Sequence, residues 1–219
     1  MFPDPEKFGI KICGITTAQQ AADVLALGAD ALGLNFWPKS KRYLAPVNAA
    51  WAPELRSHTC IIGVTVNPTD ADLVPILDAG LIDILQLHGD ESPERTAELL
   101  ERGIPVIKAL QVRDESSLGQ IGHFPCETLL LDAYNPGLYG GVGHTFPWEL
   151  AVMAQHRFPE KRFILSGGLN HENVHTAVEQ THPAAVDVAS GVESSPGVKD
   201  LEKTRWFIEQ ARSAAKRME

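Results

Sequence analysis

Eight short apolar runs alternate with longer amphipathic runs along the whole chain of 219 residues. The short runs are nearly continuous in β-branched and other apolar residues, which indicates parallel strands covered on both faces. Their average spacing of about 27 residues is close to the minimum for a parallel crossover unit. We therefore predict that residues 1–219 form a single domain, a (β/α)8 barrel with eight parallel strands, and a doubly wound open sheet is the alternative. The predicted strands are Gly9–Cys13, Ala31–Asn35, Cys60–Val66, Asp83–Leu87, Pro105–Leu110, Thr128–Asp132, Arg162–Ser166 and Ala184–Ala189.

Charge and cysteine content restrict the partners that we expect. The chain has 19 Lys plus Arg against 28 Asp plus Glu, a net charge of −9, which disfavours binding to nucleic acid or to an anionic membrane. Its three cysteines lack a paired spacing, which predicts a reducing, cytoplasmic setting without disulfides or structural zinc. The chain begins without an apolar export signal and contains no apolar stretch of membrane-spanning length, so we expect neither export nor insertion.

Ionisable residues at the ends of the predicted strands are the candidates for chemistry, because active sites of such barrels lie at the carboxyl ends of the strands. Asp132 closes the apolar run Leu129–Leu131, and an unpaired buried carboxylate is costly, so we favour a functional role for it. Cys13 is either a small buried thiol or a base or nucleophile. Arg42 is either a surface cation or a bidentate ligand for an aryl carboxylate.

Glycine clusters follow the seventh and eighth predicted strands, at Gly167-Gly168 and at Ser190-Gly191. Backbone N–H groups exposed in such loops can bind a phosphate, and barrels commonly hold phosphate at this position. We therefore predict a phosphate site between the two loops, although the same glycines could serve only tight turns.

Several of these strand ends together resemble the phosphoribosylanthranilate isomerase family of tryptophan biosynthesis. The motifs fall in the family's order and span essentially the whole chain. They are Lys11-Ile12-Cys13-Gly14, Phe36-x-x-x-Ser40-x-Arg42, Gln86-Leu87-His88-Gly89, Leu131-Asp132, Gly140-Gly141-Val142-Gly143 and Asp187-Val188-x-Ser190-Gly191-Val192-Glu193.

The resemblance implies an Amadori rearrangement of N-(5-phospho-β-D-ribosyl)anthranilate, with Cys13 as general base, Asp132 as general acid and neither metal nor cofactor. Lys11 would supply positive charge near the thiol or only support the interior of the barrel. His88 is expected to be a wall residue rather than the acid. The expected substrate contacts are Arg42 on the anthranilate carboxylate, Asp187 on the anthranilate nitrogen, the backbone of Gly141, Gly168, Gly191 and Val192 on the phosphate, and the Ser190 hydroxyl beside it.

The sequence departs from the family pattern at Val142, where the family has Thr or Ser, and at Pro147, which alters the expected start of the sixth helix. The expected partner is a small molecule, and the expected quaternary state is a monomer or a homodimer.

Other functions compete with this interpretation. Lys108, placed at the end of the fifth strand, suggests a Schiff-base aldolase or an indole-glycerol-phosphate synthase, but we favour a structural role, either as a barrel-interior lysine neutralised by a carboxylate or as a cation that supports the backbone. The run His171–His175 matches the zinc-protease signature H-E-x-x-H, but it is expected to start an outer helix after an Asn170 N-cap. A histidine-pathway aminoaldose isomerase and a noncatalytic phosphate sensor are further alternatives.

Overall fold

The eight predicted strands form a closed, fully parallel barrel in sequential order, so the predicted fold class is confirmed and the open-sheet alternative is wrong. The structure, a computed structural model, describes residues 2–4, 6–133 and 147–217. The barrel strands are β1 Gly9–Cys13, β2 Ala31–Asn35, β3 Cys60–Thr65, β4 Ile84–Leu87, β5 Val106–Val112, β6 Thr128–Ala133, β7 Arg162–Leu165 and β8 Ala185–Val188.

The predicted bounds of β1 and β2 agree with the structure, and the other six differ by one or two residues at one end or, in β5 and β8, at both ends. The largest extension is at β5, which continues past Leu110 to Val112 because it pairs with β6 as far as Ala133. Asp83 lies before β4 rather than in it, where its carboxylate accepts the backbone N–H of Ile61 at 2.8 Å.

Helices cover the barrel, but the second and fifth units depart from the regular strand–helix pattern. After β2 the chain forms a 3-10 turn at Pro46–Ala49 before a short helix, and after β5 it forms only the 3-10 helix Glu115–His123, which contains Gly119 and Gly122. Proline and glycine both disfavour a long α-helix, which explains these two interruptions. The α-helices are α1 Ala18–Ala26, α2 Ala52–Leu55, α3 Asp70–Leu77, α4 Pro93–Glu101, α5 Trp148–Arg157, α6 Val174–Thr181 and α7 Leu201–Ala215.

Two apolar layers hold the barrel together. The larger layer lies between strands and helices, and the smaller one fills the interior of the barrel. Because side chains alternate along a strand, the strand parity decides which layer each residue joins. Ile107 and Ala109 of β5 face the interior, whereas Val106 and Leu110 face the helices. Phe2 packs into the interior layer and closes the end of the barrel where the strands begin.

The closure between β1 and β8 sets Lys11 directly beside Asp187 in the strand register. After β8 the chain forms a 3-10 turn and a two-stranded hairpin, β9 Glu193–Ser195 and β10 Val198–Lys199, which the sequence did not predict. None of the described helices is long and apolar enough to span a membrane.

Candidate active site

A cavity of about 250 Å³ opens at the carboxyl ends of the barrel strands, and we call it the mouth cavity. Most of the residues that the sequence singled out for chemistry converge on its wall. The predicted residues that line it are Cys13, Arg42, His88, Asp132, Gly168, Asp187 and Ser190. The structure therefore brings the proposed acid and the proposed base to one cavity.

The Cys13 thiol lies in the interior of the barrel at the end of β1, with 8% of the residue exposed. Gly33 of β2 is its register partner, and a Cβ on Gly33 would lie 2.6 Å from the Cys13 sulfur. Real carbon and sulfur atoms do not approach so closely, so the missing side chain of Gly33 creates the space that the thiol occupies.

Two opposing effects act on the Cys13 thiol. Burial and, to a smaller extent, the charge of Asp187 raise the pKa of Cys13 above its ordinary value, whereas Lys11 and Lys199 act to lower this pKa. The net direction is upward, because burial disfavours the charged thiolate more than the lysines favour it. This upward shift of the Cys13 pKa is opposite in direction to the one that would favour a thiolate base at neutral pH.

Lys11 is fully buried and forms an ion pair with Asp187, with 2.8 Å between Nζ and Oδ1. Burial alone would lower the pKa of Lys11, but the charges and hydrogen bonds of Asp187 and Cys13 together raise this pKa above its ordinary value. Ser166 donates a weak hydrogen bond of 3.4 Å to the other oxygen of Asp187. Lys11 therefore has both of the roles considered for it, since it supplies charge near the thiol and also fills the interior.

Asp132 is 4% exposed and lies at the end of β6, where His88 Nε2 is 3.1 Å from its Oδ2. The other ring nitrogen of His88, Nδ1, is 2.8 Å from the side-chain nitrogen of Gln86. Among the described residues, the side-chain oxygen of Gln86 is buried and has no hydrogen-bond partner. Two successive hydrogen-bond contacts therefore connect Gln86, His88 and Asp132 along one wall of the cavity, and His88 is the direct neighbour of the proposed acid.

Arg42 lies on the wall of the cavity, but its planar fork faces a protein carboxylate. Its Nε and Nη2 donate to the two oxygens of Glu193 at 2.8 and 2.6 Å, and Lys199 Nζ donates to the same carboxylate at 2.8 Å. Although burial opposes ionisation, the hydrogen bonds from Arg42 and the charge of Lys199 hold the pKa of Glu193 below its usual value. This cluster contains two cations and one anion, so it keeps a net positive charge for an anionic ligand.

Glycine is required where Arg42 crosses the end of β1. Gly14 has a φ of +81°, and a Cβ there would lie 2.5 Å from Cδ of Arg42. The absence of a side chain at Gly14 therefore allows the stem of Arg42 to pass close to the end of β1, next to Cys13.

The two glycine loops meet as predicted, and part of the proposed phosphate site faces the cavity. Gly168, with a φ of +70°, and Ser190 line the cavity. Gly191 and Val192 follow in a 3-10 turn behind this wall, where a Cβ on Gly191 would overlap the carbonyl oxygen of Leu169. Gly141 and Val142 lie outside the described residues. Pro147 occupies the N-cap position of α5, which begins at Trp148 without a side-chain cap.

Lys108 is not at the end of β5, as the sequence suggested, but is the third residue of that strand. It is not in the barrel interior either, because its neighbours Ile107 and Ala109 face inward and it faces the helices. The expected neutralisation by a carboxylate is correct, since Lys108 Nζ lies 3.0 Å from Glu91 Oε2. This position, away from the lining of the mouth cavity, does not suit a Schiff-base lysine.

The H-E-x-x-H match does not start a helix, because α6 begins at Val174 and its N-cap position is Asn173 rather than Asn170. Asn170 instead forms a turn in which its side chain accepts the backbone N–H groups of Glu172 and Asn173. His171 packs against Trp206, and His175 faces Glu179 on the same helix. Over residues 2–4, 6–133 and 147–217, no group of three His, Cys, Asp or Glu side chains has the arrangement of a metal site.

Sequence reasoning assigned no role to Gln86, Glu193 or Lys199. Gln86 could have been found, because a residue two positions before His88 shares its face of a strand. Glu193 and Lys199 are brought together by the β9–β10 hairpin, whose residues show no strand-like pattern in the sequence.

Comparison with protein families supports the resemblance noted in the sequence. Residues 10–210 match the family described as N-(5'phosphoribosyl)anthranilate (PRA) isomerase. The N-(5'-phosphoribosyl)anthranilate isomerase of Pelobacter propionicus is 43% identical to this chain over 204 residues, which cover 93% of this chain and 95% of the relative. The isomerase of Geobacter sulfurreducens is 44% identical over 204 residues, covering 93% of this chain and 98% of that relative.

Solved structures agree with these relatives. The crystal structure of phosphoribosyl anthranilate isomerase from Thermotoga maritima matches with a TM-score of 0.84 and 38% identity, over 94% of this chain and 100% of that one. A phosphoribosyl anthranilate isomerase in complex with reduced 1-(o-carboxyphenylamino)-1-deoxyribulose 5-phosphate matches with a TM-score of 0.82 and 36% identity, over 94% and 100% of the two chains.

Proposed function

The chain belongs to the N-(5'-phosphoribosyl)anthranilate isomerase family, and we propose that its mouth cavity catalyses the Amadori rearrangement of N-(5-phospho-β-D-ribosyl)anthranilate in tryptophan biosynthesis. The product is 1-(o-carboxyphenylamino)-1-deoxyribulose 5-phosphate. The observation that carries the proposal is the convergence of Cys13 and Asp132 on one cavity whose walls also hold Arg42 and Gly168.

The reaction needs an acid and then a base, and the cavity offers one of each. Asp132, when protonated, donates its proton to the furanose ring oxygen. The bond between this oxygen and the anomeric carbon then breaks, and the nitrogen lone pair forms a protonated Schiff base. The Cys13 thiolate removes the C2′ proton, and the electron pair of that C–H bond moves toward the nitrogen to give an enolamine. Return of a proton to the anomeric carbon and loss of the enol proton give the ketone and restore both groups.

Substrate charge complements the walls of the cavity. Arg42 binds the anthranilate carboxylate through the donors that Glu193 leaves available, and Lys199 supports this by keeping the cluster positive. The phosphate binds on the backbone of Gly168, Gly191 and Val192 with the Ser190 hydroxyl, and the family resemblance implies a further backbone contact from Gly141, which lies outside the described residues. Asp187, oriented by Lys11, accepts a hydrogen bond from the anthranilate nitrogen.

The direct test is turnover of the aminoaldose, followed through the loss of its anthranilate-type fluorescence. We expect turnover by the intact chain, a loss of kcat of about 100-fold or more in Asp132→Asn and in Cys13→Ser, and a chiefly raised KM in Arg42→Ala. Absence of turnover, or near-normal kcat in either of the first two variants, contradicts the assignment. Assaying the histidine-pathway aminoaldose in parallel tests for activity on both substrates.

We also propose that the chain acts as one catalytic domain, in the cytoplasm, as a monomer or a homodimer. Its cysteines are free thiols, which suit a reducing compartment. One solved relative, from Thermotoga maritima, is described as monomers generated from a dimeric isomerase. The molar mass in solution, measured by light scattering after size-exclusion chromatography, distinguishes the two states.

A further inference from the structure

The proposed mechanism does not use the buried ion pair between Lys108 and Glu91. Both side chains are 2% exposed, and 3.0 Å separates Lys108 Nζ from Glu91 Oε2. Lys108 comes from the outer face of β5, and Glu91 comes from the loop between β4 and α4. Replacing a buried ion pair by apolar residues is often neutral or stabilising, so stability alone does not account for such a pair.

Lys108 and Glu91 form hydrogen bonds with the backbone on both sides of His88. Lys108 Nζ donates to the carbonyl oxygen of Gly89 at 2.7 Å and to that of Leu87 at 3.4 Å. The Glu91 carboxylate accepts the backbone N–H of Gly89 at 2.9 Å. One buried cation and one buried anion therefore bind the residue before His88 and the residue after it.

The Glu91 carboxylate also connects the loop after β4 to the segment that follows β3. Glu91 Oε1 accepts the backbone N–H of Asn67 at 2.7 Å. Asn67 has a φ of +47°, and a Cβ on Gly89 would lie 2.5 Å from the Asn67 side-chain oxygen. The backbone at Gly89 thus has little freedom to move, which is the condition for a fixed His88 ring.

The ring of His88 in turn decides the hydrogen bonding of the acid. With the Gln86 amide nitrogen donating to Nδ1, the proton of the neutral ring is on Nε2, and Nε2 donates to Oδ2 of Asp132. In the protonated form of Asp132 that the proposed reaction requires, the oxygen that accepts this bond is the carbonyl oxygen, and the acid proton is then on Oδ1.

We propose that Lys108 and Glu91 are positioning residues for the reaction. By holding the backbone around His88, the pair keeps Nε2 at Oδ2 of Asp132 and so fixes the oxygen from which the acid proton is delivered. The inference rests on the proposed function, because it concerns the protonation step of that reaction. Neither residue touches the substrate in this account.

A matched control exists at the other end of the barrel. Lys161 Nζ also donates to two backbone carbonyl oxygens, those of Phe124 and Cys126, at 2.9 and 3.0 Å. These contacts lie before β6 and β7, at the end of the barrel opposite the mouth cavity. Although the ring of Phe124 lies 5.8 Å from Lys108 Nζ, Lys161→Met removes a comparable pair of hydrogen bonds and none of those that Lys108 and Glu91 form with Leu87 and Gly89.

The test is a double-mutant cycle in kcat and KM. Lys108→Met combined with Glu91→Gln removes both charges, and it is made in the wild-type chain and in a His88→Ala chain. We expect kcat to fall about tenfold in the wild-type background with KM changed less than about twofold, because the acid is misplaced rather than the substrate site. In the His88→Ala background we expect a change in kcat below about twofold, since the pair acts through a ring that is absent. Lys161→Met should leave both constants unchanged.

Equal losses of kcat in the two backgrounds, or unchanged kcat in the wild-type background, overturn the inference. If the double variant does not fold, Glu91→Gln alone, which keeps the size of the side chain, is taken through the same cycle with the same expected non-additivity. A wild-type chain without turnover contradicts the proposed function itself, before any variant is compared.

Discussion

The two ends of the barrel each hold a cavity with a thiol and carboxylates, but the surroundings of these groups differ between the two ends. The cavity at the beginning of the strands, which we call the base cavity, measures about 570 Å³, against about 250 Å³ for the mouth cavity. Cys60 lines the base cavity as Cys13 lines the mouth cavity. The size of a cavity therefore does not indicate where the chemistry takes place.

The carboxylates of the base cavity are engaged in holding strands together. Asp30 accepts the backbone N–H of Ile10 at 2.7 Å and binds Arg212, while Asp83 accepts Ile61 N–H and binds Arg56. Burial raises the pKa of Cys60 to about 12, and the nearby Asp83 charge adds to this shift. Lys11 acts on both thiols, but it is the largest influence that lowers the pKa of Cys13 and the smallest of the named influences on the pKa of Cys60. The two thiols therefore differ in how strongly one lysine acts on them.

The largest difference between the two ends should appear on removing a carboxylate. Asp132→Asn is expected to lower kcat about 100-fold to 10,000-fold, the range that a general acid contributes. Asp83→Asn should leave kcat unchanged and lower the free energy of unfolding by about 1 kcal/mol, because it weakens one hydrogen bond and one half-exposed ion pair. Steady-state kinetics and urea unfolding of both variants test this, and a normal kcat in Asp132→Asn would contradict the assignment of the acid.

The next largest effect is expected in KM, when Arg42 at the mouth cavity is compared with Arg56 at the base cavity. Arg42→Ala should raise KM about 30-fold with a smaller change in kcat, since a charged hydrogen bond to a carboxylate contributes about 2 kcal/mol. Arg56→Ala, which removes the partner of Asp83 at the base cavity, should leave KM unchanged. Equal KM values in the two variants would remove Arg42 from the substrate site.

The dependence of kcat/KM on pH tests the effect of Lys11 on the Cys13 thiol. The pKa of Cys13 is raised, so its thiolate increases only above the ordinary thiol range, and kcat/KM should rise with pH there. Lys11→Met removes a charge that lowers the pKa of Cys13, so the rising limb should move to still higher pH. Lys7→Met provides the control, because Lys7 lines the base cavity. A limb that stays in place in Lys11→Met would contradict the role given to Lys11.

The smallest effect is expected at Gly33. Gly33→Ala introduces a Cβ at 2.6 Å from the Cys13 sulfur, and the thiol must move, so we expect kcat to fall several-fold, roughly as for other small misplacements of a catalytic group. Gly119→Ala is the matched control, since a Cβ there meets nothing within 4 Å. Identical kinetics in both variants would show that the space beside the thiol is not limiting.

The barrel could be predicted from sequence because its signal is repeated eight times and is local to each strand. The predicted residues that line the mouth cavity lie at or just beyond the ends of the predicted strands, as Cys13, Asp132 and Ser190 do. Pairings that depend on barrel closure, such as Lys11 with Asp187, become visible only once β1 is placed beside β8. The side that Lys108 faces depends on the parity of β5, which a continuous apolar run does not reveal.

The Glu193–Lys199 contact was beyond sequence reasoning for another reason. It depends on a hairpin of three and two residues, β9 and β10, whose strands are too short to produce a periodic pattern. The fork of Arg42 was expected to face the substrate, and the carboxylate that it binds in the structure comes from this hairpin.

The assignment of Cys13 as the general base is tested most directly by comparing kcat of Cys13→Ser with kcat of Cys60→Ser. Each variant replaces one interior-facing sulfur by oxygen, one at the mouth cavity and one at the base cavity. We expect Cys13→Ser to lose about 100-fold or more in kcat, because a hydroxyl is a far weaker acid than a thiol and supplies no base, and Cys60→Ser to keep the wild-type value. Near-normal turnover by Cys13→Ser would contradict the account.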